Sequence, residues 1–158
     1  MNPYLQTART WVEKTAVLLW ASAITLVGIL PLSNFVGHSH WEYIIWWPPV
    51  TAEEIYRTWL YVDIFGNIGL FLPLGVVLAR RGLFGRKYPL VATISFALLL
   101  SASIEFYQVF CHNRHPTLLD LFNNVLGATL GHIIARRLPV LPFIGPLAPP
   151  PYSHPTGS

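Results

Sequence analysis

The chain has 158 residues, of which 53% are hydrophobic and only 11% charged, and its mean hydropathy is +0.48. Soluble globular domains carry about 25% charged residues, so this composition excludes a protein whose whole surface meets water. The formal charge of +3 does not mark a nucleic-acid binder either, because the basic residues stand in short clusters beside apolar stretches, the pattern of membrane proteins.

The length allows one domain. Residues 1–14 form a short N-terminal segment ahead of a first apolar run, Thr15–Leu32. That run is longer than the roughly 7–15 residues of a signal-peptide core and has no small-x-small site after it, so it reads as an uncleaved anchor. Residues 33–59 form a long aromatic loop holding Trp41, Tyr43, Trp46, Trp47, Tyr56 and Trp59. Within it, Thr51-Ala52-Glu53-Glu54 has the pattern of a capping box opening a short helix. Two readings of the aromatics stand: an interfacial belt, which indole rings favour whatever the function, or a platform that stacks on sugar rings.

Three more apolar runs follow, Leu60–Ala79, Tyr88–Cys111 and Leu118–Ala135, each near the roughly 20 residues needed to span a bilayer. In lipid the backbone must satisfy its own hydrogen bonds, so all are expected to be helical despite Pro73 and several glycines. Residues 138–158 form a proline-rich tail, with seven prolines among the last twenty residues, and cannot continue the last helix. The expected fold is therefore all-α, a polytopic bundle of four transmembrane helices over residues 15–137. Arg9, Lys14, Arg80, Arg81, Arg86, Lys87, Arg136 and Arg137 fall on one side, and only Arg57 and Arg114 on the other. By the positive-inside rule both termini and the tail are cytoplasmic. A single cysteine, Cys111, excludes an internal disulfide.

Asp63-Ile64-Phe65-Gly66-Asn67 and Asp120-Leu121-Phe122-Asn123-Asn124 both read D-φ-F-x-N, where φ is aliphatic, and glycines follow each. Their spans run in the same direction, which suggests two helical hairpins related by an axis along the membrane normal, a parallel repeat.

Charged side chains within spans cost about 2.5–3.5 kcal/mol on insertion scales, so each invites an explanation. Asp63 and Asn67 share one helix face, as do Asp120 and Asn124. Ser101, Glu105, Gln108 and His112 form a polar stripe on the third span. Gly127 and Gly131 extend the stripe of the fourth and offer a close approach to another helix. With Arg114 in the turn between the last two spans, three acids, one base and several amides converge at one depth. Two accounts compete: polar glue that pins the helices, or a pocket in which Asp63, Asn67, Ser101, Glu105, Gln108, Arg114, Asp120 and Asn124 contact a ligand. The number of acids favours the pocket. His38, His40 and Glu42, and Cys111, His112 and His115, lack zinc spacings, and His132 reads as a packed or snorkelling residue. No metal or other cofactor is expected, and no nucleophile or phosphate-loop motif occurs.

The run Asp63-x-x-x-Asn67-x-x-x-Phe71-x-Pro73-x-Gly75, followed by Ser101, Glu105, Gln108, Arg114, Asp120, Asn124, Gly127 and Gly131, resembles the signatures of VanZ-like membrane proteins. The resemblance covers roughly residues 15–137; the tryptophan-rich loop and proline-rich tail depart from it. It implies a multi-pass protein of the bacterial cytoplasmic membrane and cell envelope, in a family whose namesake confers resistance to the glycopeptide antibiotic teicoplanin. Membrane lipid, and a lipid-linked envelope glycan or glycopeptide-related ligand, are the expected partners; an oligomer is compatible with so small a bundle. Three functions stay open: a non-enzymatic binder of an amphiphile headgroup, an intramembrane lipid-modifying enzyme, and a small proton or solute transporter.

Overall fold

The computed structural model describes residues 3–46, 58–81 and 89–137. Among these residues are four α-helices: α1, Pro3–Ile29; α2, Thr58–Arg81; α3, Pro89–Gln108; and α4, Leu118–Arg137. Segments Leu60–Arg80, Pro89–Gln108 and Leu118–Arg137 are long and apolar enough to cross a membrane, and α1 contributes a shorter apolar stretch, Lys14–Ile29. The proposed capping box, the inter-span basic residues Arg86 and Lys87 and the proline-rich tail lie outside the described residues.

Around its apolar core the bundle shows more apolar surface and more buried polar groups than a soluble one. Large apolar side chains such as Leu18, Leu19, Leu98, Leu99 and Phe106 point outward, whereas Thr93, Ser101, Asn123, Asn124 and His132 are buried. That arrangement suits lipid, where apolar surface gains nothing from mutual contact and small or polar residues hold helices together. Phe65 and Phe122, the phenylalanines of the two D-φ-F-x-N copies, are both turned out, 67% and 62% exposed.

The most extensive helix pairing among the described elements is between α2 and α4. Glycine is what permits it. A Cβ on Gly75 would strike the carbonyl of Ala128, one on Gly127 that of Ile68, and one on Gly131 that of Leu72. The helices therefore cross backbone to backbone, as a small-residue stripe allows. Gly66 and Gly69 meet nothing and take no part.

A second seam joins α3 to α4. On α3, Thr93, Ala97, Ser101 and Glu105 are spaced by four and share a face; on α4, Asp120, Asn124, Ala128 and His132 do the same. Because the helices run in opposite directions, the two sets meet rung by rung. Asn124 Nδ2 donates to Ser101 Oγ at 2.9 Å. At the far end, Thr93 Oγ1 donates to Pro89 O at 3.0 Å and so accepts from Nδ1–H of His132 at 2.9 Å. Between these rungs Ala97 and Ala128, both 0% exposed, belong to the apolar core with Phe71 and Leu74.

Helix α1 completes the bundle. Trp20 Nε1 donates to Leu70 O at 3.0 Å, one residue beyond the Gly69 carbonyl whose helical donor Pro73 removes. The helix stops at Ile29, three residues short of the expected span end, because Pro31 supplies no N–H to extend it. At its other end it extends back to Pro3, well before the apolar run begins.

The third span also ends early, at Gln108 rather than Cys111. Its last turn tightens, with Phe110 N bonding Tyr107 O and Cys111 N bonding Gln108 O, and the chain then pairs with the first loop. Val36 N donates to Phe110 O, His40 N to Val109 O and His112 N to Asn34 O, around an antiparallel bridge of Phe35 with Cys111. Ile45 and Thr117 form a second bridge, parallel. Phe35 stacks on Tyr107 with ring centroids 5.5 Å apart, and Trp41 meets Phe106 at 6.1 Å. Residues 34–45 of the first loop are thus lashed to the end of α3 and the start of α4. Of its tryptophans, Trp41 and Trp46 are exposed.

Candidate functional site

At the end of the bundle where α1 and α3 finish and α4 begins, a cavity of about 770 Å³ opens between the helices. Asp63, Asn67, Glu105, Gln108, Arg114, Asp120 and Asn124 all line it, together with Asn113, His115 and Thr117. Ile24, Val27, Leu70, Phe71 and Ile104 form apolar wall beside them. Seven of the eight expected residues thus share one space. Ser101 is set behind it, 0% exposed, and reaches the cavity only through its hydrogen bond to Asn124.

The start of α4 organises the acids. Thr117 precedes the helix, and its Oγ1 accepts the backbone N–H of Asp120 at 2.9 Å, an N-cap. In a complete capping box the Asp120 side chain would take the Thr117 N–H in return. Here Oε2 of Glu105, on α3, accepts that N–H at 3.0 Å instead. The substitution frees the Asp120 carboxyl, which accepts Asn67 Nδ2 at 2.7 Å and interacts with the carboxyl of Asp63. Glu105 in turn lies within electrostatic reach of Asp120, Asp63 and Arg114. Sequence reasoning omitted Thr117, although T-x-x-D before an apolar run is a legible cap signature.

Arg114 forms no ion pair with these acids. Its Nη2 donates to Leu30 O at 2.7 Å, and Gln108 Nε2 donates to Gly28 O at 3.0 Å. Both side chains therefore satisfy carbonyls left over at the C-terminus of α1, where a cation also suits the helix dipole. A guanidinium has five N–H donors, so capping one carbonyl leaves most of Arg114 available. Pin and pocket are not exclusive here: Asn67, Ser101, Gln108 and Arg114 tie helices together around a space that stays open.

Asn124 is the exception to polar satisfaction. It is 6% exposed and lines the cavity, yet its Oδ1 has no hydrogen-bond partner.

Three of the histidines gather elsewhere. His38 and His112 flank His40 with ring centroids 4.6 and 5.7 Å away, and Tyr43 stacks on it at 4.8 Å. His40 Nδ1 contacts Glu42 Oε1 at 3.3 Å; that exposed carboxyl is held below its ordinary range by a hydrogen bond at its own backbone, with help from His40. No group of three or more His, Cys, Asp or Glu is arranged to hold a metal ion among the described residues.

An apolar outer surface, three helices long and apolar enough to cross a membrane, glycine-mediated helix crossing and a polar cavity let into one end define a helical integral membrane protein. The sequence matches the VanZ/LLP1 family model over residues 6–141. The chain belongs to the VanZ/LLP1 family. No curated protein and no solved structure matches it significantly.

Proposed function

We propose that this chain is a multi-pass protein of the bacterial cytoplasmic membrane, with both termini cytoplasmic, whose outward-facing cavity binds the polar headgroup of a membrane amphiphile such as a lipid-linked envelope glycan. The observation that carries the reading is the cavity itself: polar groups and apolar wall at the same depth, where a headgroup joins its hydrocarbon. Its orientation follows from the charges. Arg80, Arg136 and Arg137 stand at the opposite ends of α2 and α4, on the side that the positive-inside rule makes cytoplasmic.

Two features favour binding over the alternatives. A transporter needs a polar route to the inner face, and the buried Ala97 and Ala128 rung interrupts the α3–α4 seam between Ser101 and Thr93. A lipid-modifying enzyme working through a hydroxyl nucleophile needs an activated hydroxyl in the cavity. The hydroxyl lining it, that of Thr117, is engaged as the α4 cap.

The purified chain, reconstituted in nanodiscs of bacterial envelope lipid, should retain amphiphiles on native mass spectrometry. Asp63→Ala, Glu105→Ala and Asp120→Ala should each weaken retention at least tenfold while the protein still inserts. Cells producing the chain should show a changed teicoplanin susceptibility that the same variants abolish. Undiminished retention and susceptibility in all three variants would end this reading.

A further inference from the structure

The charges in the cavity say more about what it takes. Three carboxyls share it with one guanidinium, and two of them, Asp63 and Asp120, lie within electrostatic reach of each other. Facing carboxyls in a poorly solvated site either share a proton or hold a cation between them. A metal ion is poorly served, since Asp63, Glu105 and Asp120 do not gather into a metal-holding group. A charged nitrogen is better served: an ammonium spreads three N–H donors over separated acceptors. The cavity offers such acceptors. Asp63 is exposed at the cavity, Asp120 and Glu105 each accept one hydrogen bond from protein N–H groups and retain lone pairs, and the buried Oδ1 of Asn124 has no partner. Arg114, nearer the mouth in the turn between α3 and α4, keeps N–H groups beyond the one given to Leu30, in the forked geometry that suits phosphate.

Building on the headgroup reading above, we infer that the cavity selects a headgroup carrying a primary ammonium, with its N–H donors, next to a phosphate, with the ammonium among Asp63, Glu105 and Asp120 and the phosphate on Arg114; the quaternary nitrogen of phosphatidylcholine has no such donors. Phosphoethanolamine is the simplest group with that chemistry, whether attached to a lipid or free. An anionic headgroup without an amine would set its phosphate near three acids with no ammonium to offset them.

The test uses the full chain in nanodiscs whose lipid is either phosphatidylethanolamine or phosphatidylglycerol in an otherwise constant phosphatidylcholine background. Native mass spectrometry should show phosphatidylethanolamine retained at least tenfold over phosphatidylglycerol. Asp63→Asn, which keeps the side chain's size at an exposed position, should erase that preference, and Arg114→Gln should weaken retention of both lipids. Glycerophosphoethanolamine, added as the acyl-free probe, separates the two sources: displacement of the lipid points to a soluble ligand, and failure to displace it to the lipid, and either result upholds the charge pairing. A preference for phosphatidylglycerol, or a preference for phosphatidylethanolamine that survives in Asp63→Asn, overturns the inference and leaves the headgroup reading intact. If neither lipid nor any envelope amphiphile is retained, the headgroup reading falls with it.

Discussion

Asn67 on α2 donates a 2.7 Å hydrogen bond to Oδ1 of Asp120 on α4, joining the amide of one D-φ-F-x-N copy to the acid of the other. Two-fold symmetry would have Asn124 answer by bonding Asp63. Instead Asn124 turns to Ser101 on α3, and Asp63 is left exposed at the cavity. The departure from symmetry leaves Asp63 beside Asp120 without an amide partner of its own.

Close packing of α2 against α4 should tolerate no Cβ at the crossing. Gly75→Ala and Gly131→Ala should each destabilise the bundle by about 3 kcal/mol, the upper range for overpacking where the obstacle is backbone that cannot rotate away. Gly66→Ala and Gly69→Ala, whose Cβ atoms meet nothing, should be neutral or stabilise by up to about 1 kcal/mol through helix propensity. Unfolding in mixed detergent micelles, followed by circular dichroism, separates the pairs.

Ser101→Ala should leave the buried amide of Asn124 without its hydrogen-bond partner, at a cost of about 1–3 kcal/mol. Adding Asn124→Leu should recover part of it, since replacing both partners removes the unmet group. The coupling from the double-mutant cycle should exceed the average of about 0.6 kcal/mol for interhelical hydrogen bonds in membranes.

Gln108→Ala and Arg114→Ala should each release the C-terminus of α1 by removing the donor to Gly28 O or Leu30 O. The charged donor matters more: about 1.5–3 kcal/mol for Arg114 against about 1 kcal/mol for Gln108. Amide hydrogen exchange over residues 26–30 should accelerate accordingly, by about tenfold per 1.4 kcal/mol, while the α2–α4 crossing stays protected.

Cys111, the chain's one cysteine, is buried under the bridge to Phe35. It should resist maleimide in the folded protein. Phe35→Ala, which removes the ring stacked on Tyr107, should expose it and raise the labelling rate several-fold. Unchanged labelling would mean that the first loop is held by its backbone hydrogen bonds alone.

The last three helices were legible within a few residues, because hydropathy over a span-length window integrates many side chains and does not depend on any one. The convergence of Asp63, Asn67, Glu105, Gln108, Arg114, Asp120 and Asn124 was legible too, since their four- and three-residue spacings put each set on one helix face. What stayed hidden depended on partners in distant segments. The loop pairing of Asn34, Val36 and His40 with residues 109–112 is made by backbone groups, which every sequence carries. Thr93 and His132 complete a seam whose middle rung is two alanines, and alanine gives no polar signal. Ser101 looked like a lining residue because spacing fixes the face of a helix but not how deep that face is buried.

The glycine crossing also constrains how the molecule can be made. Its tightest partners, α2 and α4, are separated in the chain by α3, so α2 leaves the ribosome long before the surface that Gly75 is shaped to meet. Until the last helix enters the bilayer, Asn67 lacks its acid, Ser101 its amide and Thr93 its imidazole. Biogenesis therefore ends in a late locking step, and a chain truncated before Leu118 would keep the contacts of Ile24 with the core residues of α2 and α3 but would lack both the glycine crossing and the α3–α4 seam.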